Sequence, residues 1–273
     1  MMKEKKFTFI GAGSMTEAIL AGLLEKNKIL RQNITILNKS NKIRLQKLLQ
    51  TYGLTKPQQI GEAIRHSDVV VIAVKPKDVE DALLKWREYI HEKQLVISVA
   101  AGISTSYIES LLQANIAVIR AMPNTSCTVG LSATAICSGK WSTEQDMQLA
   151  KEIFSAIGMV VSVKEEMMDA VTGLSGSGPA YFYYMVEALE QAGIRAGLQP
   201  DTARQLTLQT ILGAAHMLAE TGKKPTELRQ EVTSPGGTTM AGLEVLSKYQ
   251  LDQAVIEAVL RAKERSQELG QYF

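Results

Sequence analysis

The sequence predicts a two-domain α/β protein, with residues 1–164 built from alternating strands and helices and residues 165–273 built from helices alone. Three observations predict it. Short runs rich in Val, Ile and Phe alternate with helix-periodic segments as far as Val163. That alternation means βαβ units and a mainly parallel sheet. A glycine turn joins the first strand to the first helix. From Glu165 onward the strand pattern stops, and the chain becomes rich in Ala, Leu and Met.

In chain order, the apolar runs Phe7–Ile10, Ile34–Leu37, Val69–Val74, Leu95–Val99 and Ala117–Met122 read as strands. Helical patterns separate them at Met15–Lys26, Lys42–Thr51, Asp78–Ile90 and Ser104–Gln113. Ser132–Cys137 and Val160–Val163 flank a helical pattern at Thr143–Ile157 and extend the same sheet. The second half reads as helices at Ala180–Ala196, Thr202–Glu220, Thr226–Val232, Ala241–Lys248 and Gln253–Leu269. These helices are apolar on more than one side, a pattern that predicts burial against another subunit.

Composition narrows the function classes. The chain has 273 residues, 45% hydrophobic and 21% charged, enough for a full core in more than one domain. Its 30 basic and 28 acidic residues are nearly balanced, which argues against nucleic-acid binding. Two cysteines, Cys127 and Cys137, make no disulfide framework, and the three histidines show no metal-ligand spacing. Phe7–Ile10 is too short for a signal segment, and no apolar run approaches the length that spans a bilayer. The expectation is a cytoplasmic protein with neither membrane nor nucleic-acid partners.

Ile10-Gly11-Ala12-Gly13-Ser14-Met15 follows a strand and opens a helix. The first glycine allows the tight turn. The second lets backbone approach a pyrophosphate at the helix N-terminus. Thr16 stands where the third glycine of the usual fingerprint would be, and Ala18 supplies a small residue for packing. This is a Rossmann-like dinucleotide-binding arrangement. After the second strand a ribose 2′-hydroxyl would call for Asp or Glu. The chain reads Asn38-Lys39-Ser40-Asn41-Lys42 instead. Cations and hydrogen-bonding groups suit a 2′-phosphate, so NADPH is expected to bind better than NADH. Ala73-Val74-Lys75-Pro76 and Val99-Ala100-Ala101-Gly102 end later strands on the same sheet edge. Lys75 would meet the cofactor, and the small residues around Ala101 would let a flat nicotinamide lie against backbone.

A second glycine run, Leu174-Ser-Gly-Ser-Gly-Pro-Ala-Tyr181, reads as a flexible, donor-rich loop entering a helix at Pro179. The β-hydroxyacid dehydrogenases carry a similar run followed by a catalytic Lys and Asn. Phe182 and Val186 stand at those positions here. Alcohol oxidation needs a group to take the hydroxyl proton, and this helix offers none. An imine relaxes that need, because a protonated C=N is already electrophilic. The site then has to orient the substrate, bond its nitrogen and hold any carboxylate. Val232-Thr-Ser234-Pro-Gly-Gly237-Thr238-Thr239 meets those needs as a glycine-rich helix entry with hydroxyls.

The chain therefore resembles the pyrroline-5-carboxylate reductase family. The resemblance covers essentially the full length. It rests on Ile10–Met15, Ala73–Pro76, Arg120-Ala-Met-Pro-Asn-Thr125, Asp169–Tyr181 and Val232–Thr239. It implies reduction of 1-pyrroline-5-carboxylate to L-proline with NAD(P)H. It implies that Thr239 meets the ring nitrogen, that Gly237 and Thr238 backbone holds the carboxylate in the Ser234–Thr239 loop, and that Glu165 lines the substrate side. It also implies an all-α C-terminal dimerisation domain, with dimers assembling into larger rings such as a decamer. Relatives often have Arg where this chain has Lys39, which softens the expected NADPH preference. Another cyclic imine, such as piperideine carboxylate, would suit the same loops. A redox-sensing NADPH module would not need the Ser234–Thr239 segment.

Overall fold

A computed structural model describes residues 2–39 and 41–271. Two compact units form. The first runs through Ser177 and takes in the residues from Leu260 onward, and the second is Gly178–Val259.

Seven strands make one sheet: β1 Phe7–Ile10, β2 Ile34–Leu37, β3 Val69–Ile72, β4 Leu95–Ser98, β5 Ala117–Met122, β6 Ser132–Ser138 and β7 Gly158–Ser162. Their order is β2-β1-β3-β4-β5-β6-β7, parallel except where β5 meets β6. The helices of the first unit are α1 Ser14–Glu25, α2 Lys42–Tyr52, α3 Ile60–Arg65, α4 Val79–Trp86, α5 Thr105–Leu112, α6 Glu144–Phe154 and α7 Met168–Val171. The chain continues as α8 Gly178–Arg195, α9 Pro200–Thr221, α10 Pro225–Glu231, α11 Thr238–Lys248 and α12 Leu251–Gly270.

Strand alternation explains the layers. Phe7, Phe9, Ile34, Ile36, Val69 and Val71 pack on one face with Ile19, Leu23 and Leu48 of α1 and α2. Ile10, Leu37, Val70, Ile72 and Val96 pack on the other with Ile64, Val79, Leu83 and Ile108 of α3, α4 and α5. Both faces are covered, so the central strands read as continuous apolar runs rather than alternating ones. Thr8 is the polar exception, and its hydroxyl pairs with that of Ser67 at 2.6 Å. The sheet order reverses between β1 and β3, and ligands of open α/β sheets bind at such a switch, beyond the carboxyl ends of the strands.

The expected division at residue 164 falls inside the first unit. Met168 is fully buried against Ala135 and Cys137 of β6. Asp169 accepts hydrogen bonds from Arg120 of β5 and from Ser266 near the end of α12. These contacts hold α7 and the end of α12 onto the sheet.

The Leu174–Tyr181 segment differs from its sequence reading. Residues 172–176 form a π-turn continuing α7, and α8 begins at Gly178 rather than Pro179. The Ser177 N–H is already spent on the Thr172 carbonyl at 2.8 Å. The Thr172 and Ser175 hydroxyls donate back to the carbonyls of Met168 and Val171. Such back-bonding loosens a helix and favours wide turns. A Cβ on Gly176 would lie 2.6 Å from Met122 Cε, the movable end of a flexible side chain, so a small shift of Met122 would admit it.

In the second unit α8 and α9 pack together. Phe182, Tyr183, Tyr184 and Leu189 of α8 are exposed on the single chain, as are Leu206 and Leu212 of α9. So many large apolar side chains left exposed point to an association surface. No helix among the described residues is long and apolar enough to cross a membrane.

Candidate active site

The first unit brings four strand exits together. The Gly11 N–H donates to the Leu37 carbonyl at 2.9 Å, which joins the β1 exit to the β2 exit. The Ala73 N–H donates to Ile10 O at 2.9 Å, joining β3 to β1, and the Val99 N–H donates to Ile72 O at 3.0 Å, joining β4 to β3. Gly11–Met15, Asn38–Lys39, Ala73–Pro76 and Ala101 therefore share one sheet edge. Ser40 lies outside the described residues.

The two glycines of the first turn differ in what they permit. Gly11 has φ +122°, and a Cβ there would sit 2.3 Å from the Ala73 carbonyl oxygen. Nothing lies within 4 Å of a Cβ placed on Gly13. Gly13 caps α1 in extended conformation, and no side chain caps the helix. The first-turn N–H groups of α1 have no intrahelical acceptor, so they face the open side of the turn as anion donors. Thr16, in place of the third glycine, buries its hydroxyl on the Gly11 carbonyl at 2.8 Å and so closes the turn from beneath. These residues fit a dinucleotide pyrophosphate.

Asn38 Nδ2 donates to the Asn41 carbonyl, and Asn41 caps α2. Lys39 pairs with Asp81 of α4 at 3.0 Å, with both side chains exposed. The hydrogen bond and charge of Asp81 raise the Lys39 pKa, so the ammonium is fully charged at neutral pH. The sequence shows no carboxylate beside Lys39; the fold supplies one. Lys75 is exposed and precedes the 3₁₀ turn Pro76–Asp78.

Glu165, expected on the substrate side, turns its carboxylate onto the start of α5. Its two oxygens accept from the Thr105 N–H at 2.7 Å and the Thr105 hydroxyl at 2.6 Å. Arg120 Nη1 stands 3.7 Å away. Both thiols are buried, and burial pushes Cys137 up to about 12. Neither is a nucleophile at neutral pH.

The Ser234–Thr239 segment belongs to the second unit. Gly236 has φ +70°, and the Gly237 N–H closes a turn onto the Ser234 carbonyl at 3.0 Å. Gly237 caps α11, with no side-chain cap, and Thr238 and Thr239 form its first turn. A threonine N-cap would have spent a hydroxyl on the helix. With glycine as cap, the Thr239 hydroxyl is exposed beside first-turn N–H groups that lack helical acceptors.

A family model described as pyrroline-5-carboxylate reductase dimerisation matches residues 165–269. A second, described as NADP oxidoreductase coenzyme F420-dependent, matches residues 6–102. Pyrroline-5-carboxylate reductase 1 of Bacillus subtilis is 46% identical over 270 residues, covering 98% of this chain and 90% of that protein. The chain belongs to the pyrroline-5-carboxylate reductase family. The Methanosarcina acetivorans reductase is 40% identical, covering 98% of this chain and 99% of that protein. The pyrroline carboxylate reductase of Plasmodium falciparum, solved with NADP bound, superposes with a TM-score of 0.89 at 32% identity, covering 99% of this chain and 100% of that one.

Within this reductase fold three features are invisible in the sequence. Arg44 of α2 donates to the Ala12 carbonyl at 3.3 Å and pairs with Glu17 of α1, bracing the glycine turn. Asp81 reaches Lys39 from another helix. Arg120, with a side chain only 6% exposed, lies between Glu165 and Asp169. Each joins residues far apart in the chain, so no local spacing announces it.

Proposed function

We propose that this protein reduces 1-pyrroline-5-carboxylate to L-proline, the final step of proline biosynthesis, with NADPH preferred over NADH. The observation that carries this reading is near-full-length similarity to reductases bearing that name, with the Val232–Thr239 segment intact. When bound, the reduced nicotinamide supplies a hydride to the imine carbon. The first-turn N–H groups of α1 hold the pyrophosphate, and the small Val99–Gly102 exit leaves a flat surface for the ring. The Thr238 N–H, with the Ser234 hydroxyl, holds the substrate carboxylate, while the Gly237 N–H is spent on the Ser234 carbonyl and shapes the turn. The Thr239 hydroxyl bonds the ring nitrogen and fixes the imine plane. A protonated imine needs no strong acid beside it, so orientation dominates the rate. Glu165 serves the substrate side through the α5 entry that it holds.

In this division residues 1–164 carry the cofactor and residues 165–273 carry substrate and self-association. The test is the loss of NADPH absorbance with purified protein and racemic pyrroline-5-carboxylate, with proline measured as product. NADPH oxidation without proline overturns the reading.

Cofactor preference follows the charge after β2. Lys39, Asn38 and Ser40 receive the 2′-phosphate. An exposed ion pair contributes little, so a dianionic phosphate displaces Asp81 from Lys39. Lys39→Asp should lower kcat/KM for NADPH much more than for NADH, and Asp81→Asn should shift the ratio modestly the other way. Equal losses for both cofactors in Lys39→Asp would remove the 2′-phosphate assignment.

Self-association covers the apolar faces of α8 and α9. The protein forms dimers through its helical part, and dimers assemble into rings such as a decamer. Sedimentation of the full chain should show no monomer at micromolar concentration. An active monomer at that concentration would sink the shared interface.

A further inference from the structure

The end of α12 comes close to the loop after β4, mainly through backbone atoms. Gly102 has φ +74°, and a Cβ there would sit 3.2 Å from Ser266 O, 3.3 Å from Gly270 N and 3.4 Å from Leu269 Cβ. In the other direction, a Cβ on Gly270 would lie 2.7 Å from Gly102 O. Two glycines thus face each other closely, and Gly102 also needs its left-handed conformation.

The far side of the same loop is held by a polar chain. Thr105 gives both its N–H and its hydroxyl to Glu165. Glu165 lies beside Arg120, and Arg120 Nη2 donates to Asp169 Oδ1 at 3.4 Å. The same Asp169 oxygen accepts from the Ser266 hydroxyl at 2.7 Å, and Ser266 is only 3% exposed. The chain of contacts ends on the turn of α12 that carries the carbonyl facing Gly102. The loop is therefore gripped at Gly102 and at Thr105 by elements that share one anchor. Between those grips and β4 lies Ala101, half-buried on the sheet edge that also carries the glycine turn.

We propose that Ser266 and Gly270 of α12 are positioning residues, which set the height of the Val99–Ser104 loop and through it the placement of the nicotinamide ring. This rests on the cofactor reading given above. The pyrophosphate and 2′-phosphate contacts lie on other strand exits, so they supply affinity independently. The clamp governs the distance and angle of hydride transfer, and misplacement by about 1 Å can cost on the order of a hundredfold in rate.

The test uses the full chain with Gly270→Ala and, separately, Ser266→Ala. Thermal midpoint, NADPH Kd by fluorescence, kcat and the deuterium isotope effect with C4-deuterated NADPH are measured for each. Gly270→Ala should lower kcat by about tenfold and raise the isotope effect, with NADPH Kd within about twofold of wild type. Ser266→Ala removes one oxygen and creates no clash, so it carries the test should Gly270→Ala fail to fold. It should lower kcat by about threefold with the same split. A folded variant with wild-type kcat and isotope effect overturns the clamp, as does a Kd that rises in proportion to the fall in kcat. Failure of the underlying cofactor reading looks different, because NADPH would then bind normally to a Gly13→Ala protein.

Discussion

Gly13→Ala is expected to leave the thermal midpoint nearly unchanged while weakening NADPH binding by about tenfold to a hundredfold, a cost of about 1.4–2.8 kcal/mol. Gly11→Ala should do the opposite first: it should destabilise the fold itself. The two glycines stand two residues apart, but the structure assigns them different constraints. At Gly11 a Cβ would overlap the Ala73 carbonyl, and φ is +122°. Backbone strain of about 1–3 kcal/mol and overpacking of about 1–3 kcal/mol would add there. That is a large share of the stability of an ordinary domain. At Gly13 the backbone is extended and a methyl meets no protein atom. Its only conflict is with whatever approaches the N-terminus of α1. Thermal melts and fluorescence titration with NADPH distinguish the two cases. Wild-type affinity in Gly13→Ala would mean that no phosphate approaches this turn.

Much of the first unit was legible because its strands are buried on both faces. Such strands appear as bare apolar runs, and β1, β2 and β5 coincide with those runs residue for residue. β3 stops at Ile72, two residues before the end of its apolar run, and the Ala73 carbonyl beyond it lies close against Gly11. The six-residue α3 leaves no mark in the sequence: one helical turn and a half carries too few apolar positions to show a period. Residues 172–176 show the converse. Gly and Ser read as a loop by composition, yet a π-turn forms there, with the Thr172 and Ser175 hydroxyls bonded back to carbonyls of the preceding turn. The candidate site was legible where a backbone requirement leaves a glycine or proline in the sequence. It was not legible where a charge is answered from another element, as Asp81 answers Lys39 and Asp169 answers Arg120.

Thr239→Ala is expected to lower kcat/KM by about tenfold to a few hundredfold, and Thr239→Ser to retain most activity. The hydroxyl stands in the first turn of α11, whose cap is Gly237. It therefore makes no capping contribution, and its removal should not unravel the helix start. Its proposed partner is the ring nitrogen of a cyclic imine, positively charged in its reactive form. A neutral hydrogen bond contributes about 0.5–1.5 kcal/mol net, and one to a charged group about 1.5–3 kcal/mol. With a factor of ten for each 1.4 kcal/mol, a charged partner alone corresponds to about tenfold to a hundredfold, and the upper end of the expected loss adds the misorientation of the imine. Serine keeps the oxygen and loses only the methyl group. NADPH affinity should barely move in either variant, because the phosphate contacts lie on the strand exits of the first unit. The comparison is made at saturating NADPH, with the thermal midpoints of both variants checked against wild type. Full activity in the alanine variant, or a serine variant as poor as alanine, would leave the hydroxyl without the role assigned to it, and the orientation of the imine would then have to come from the carboxylate contacts alone.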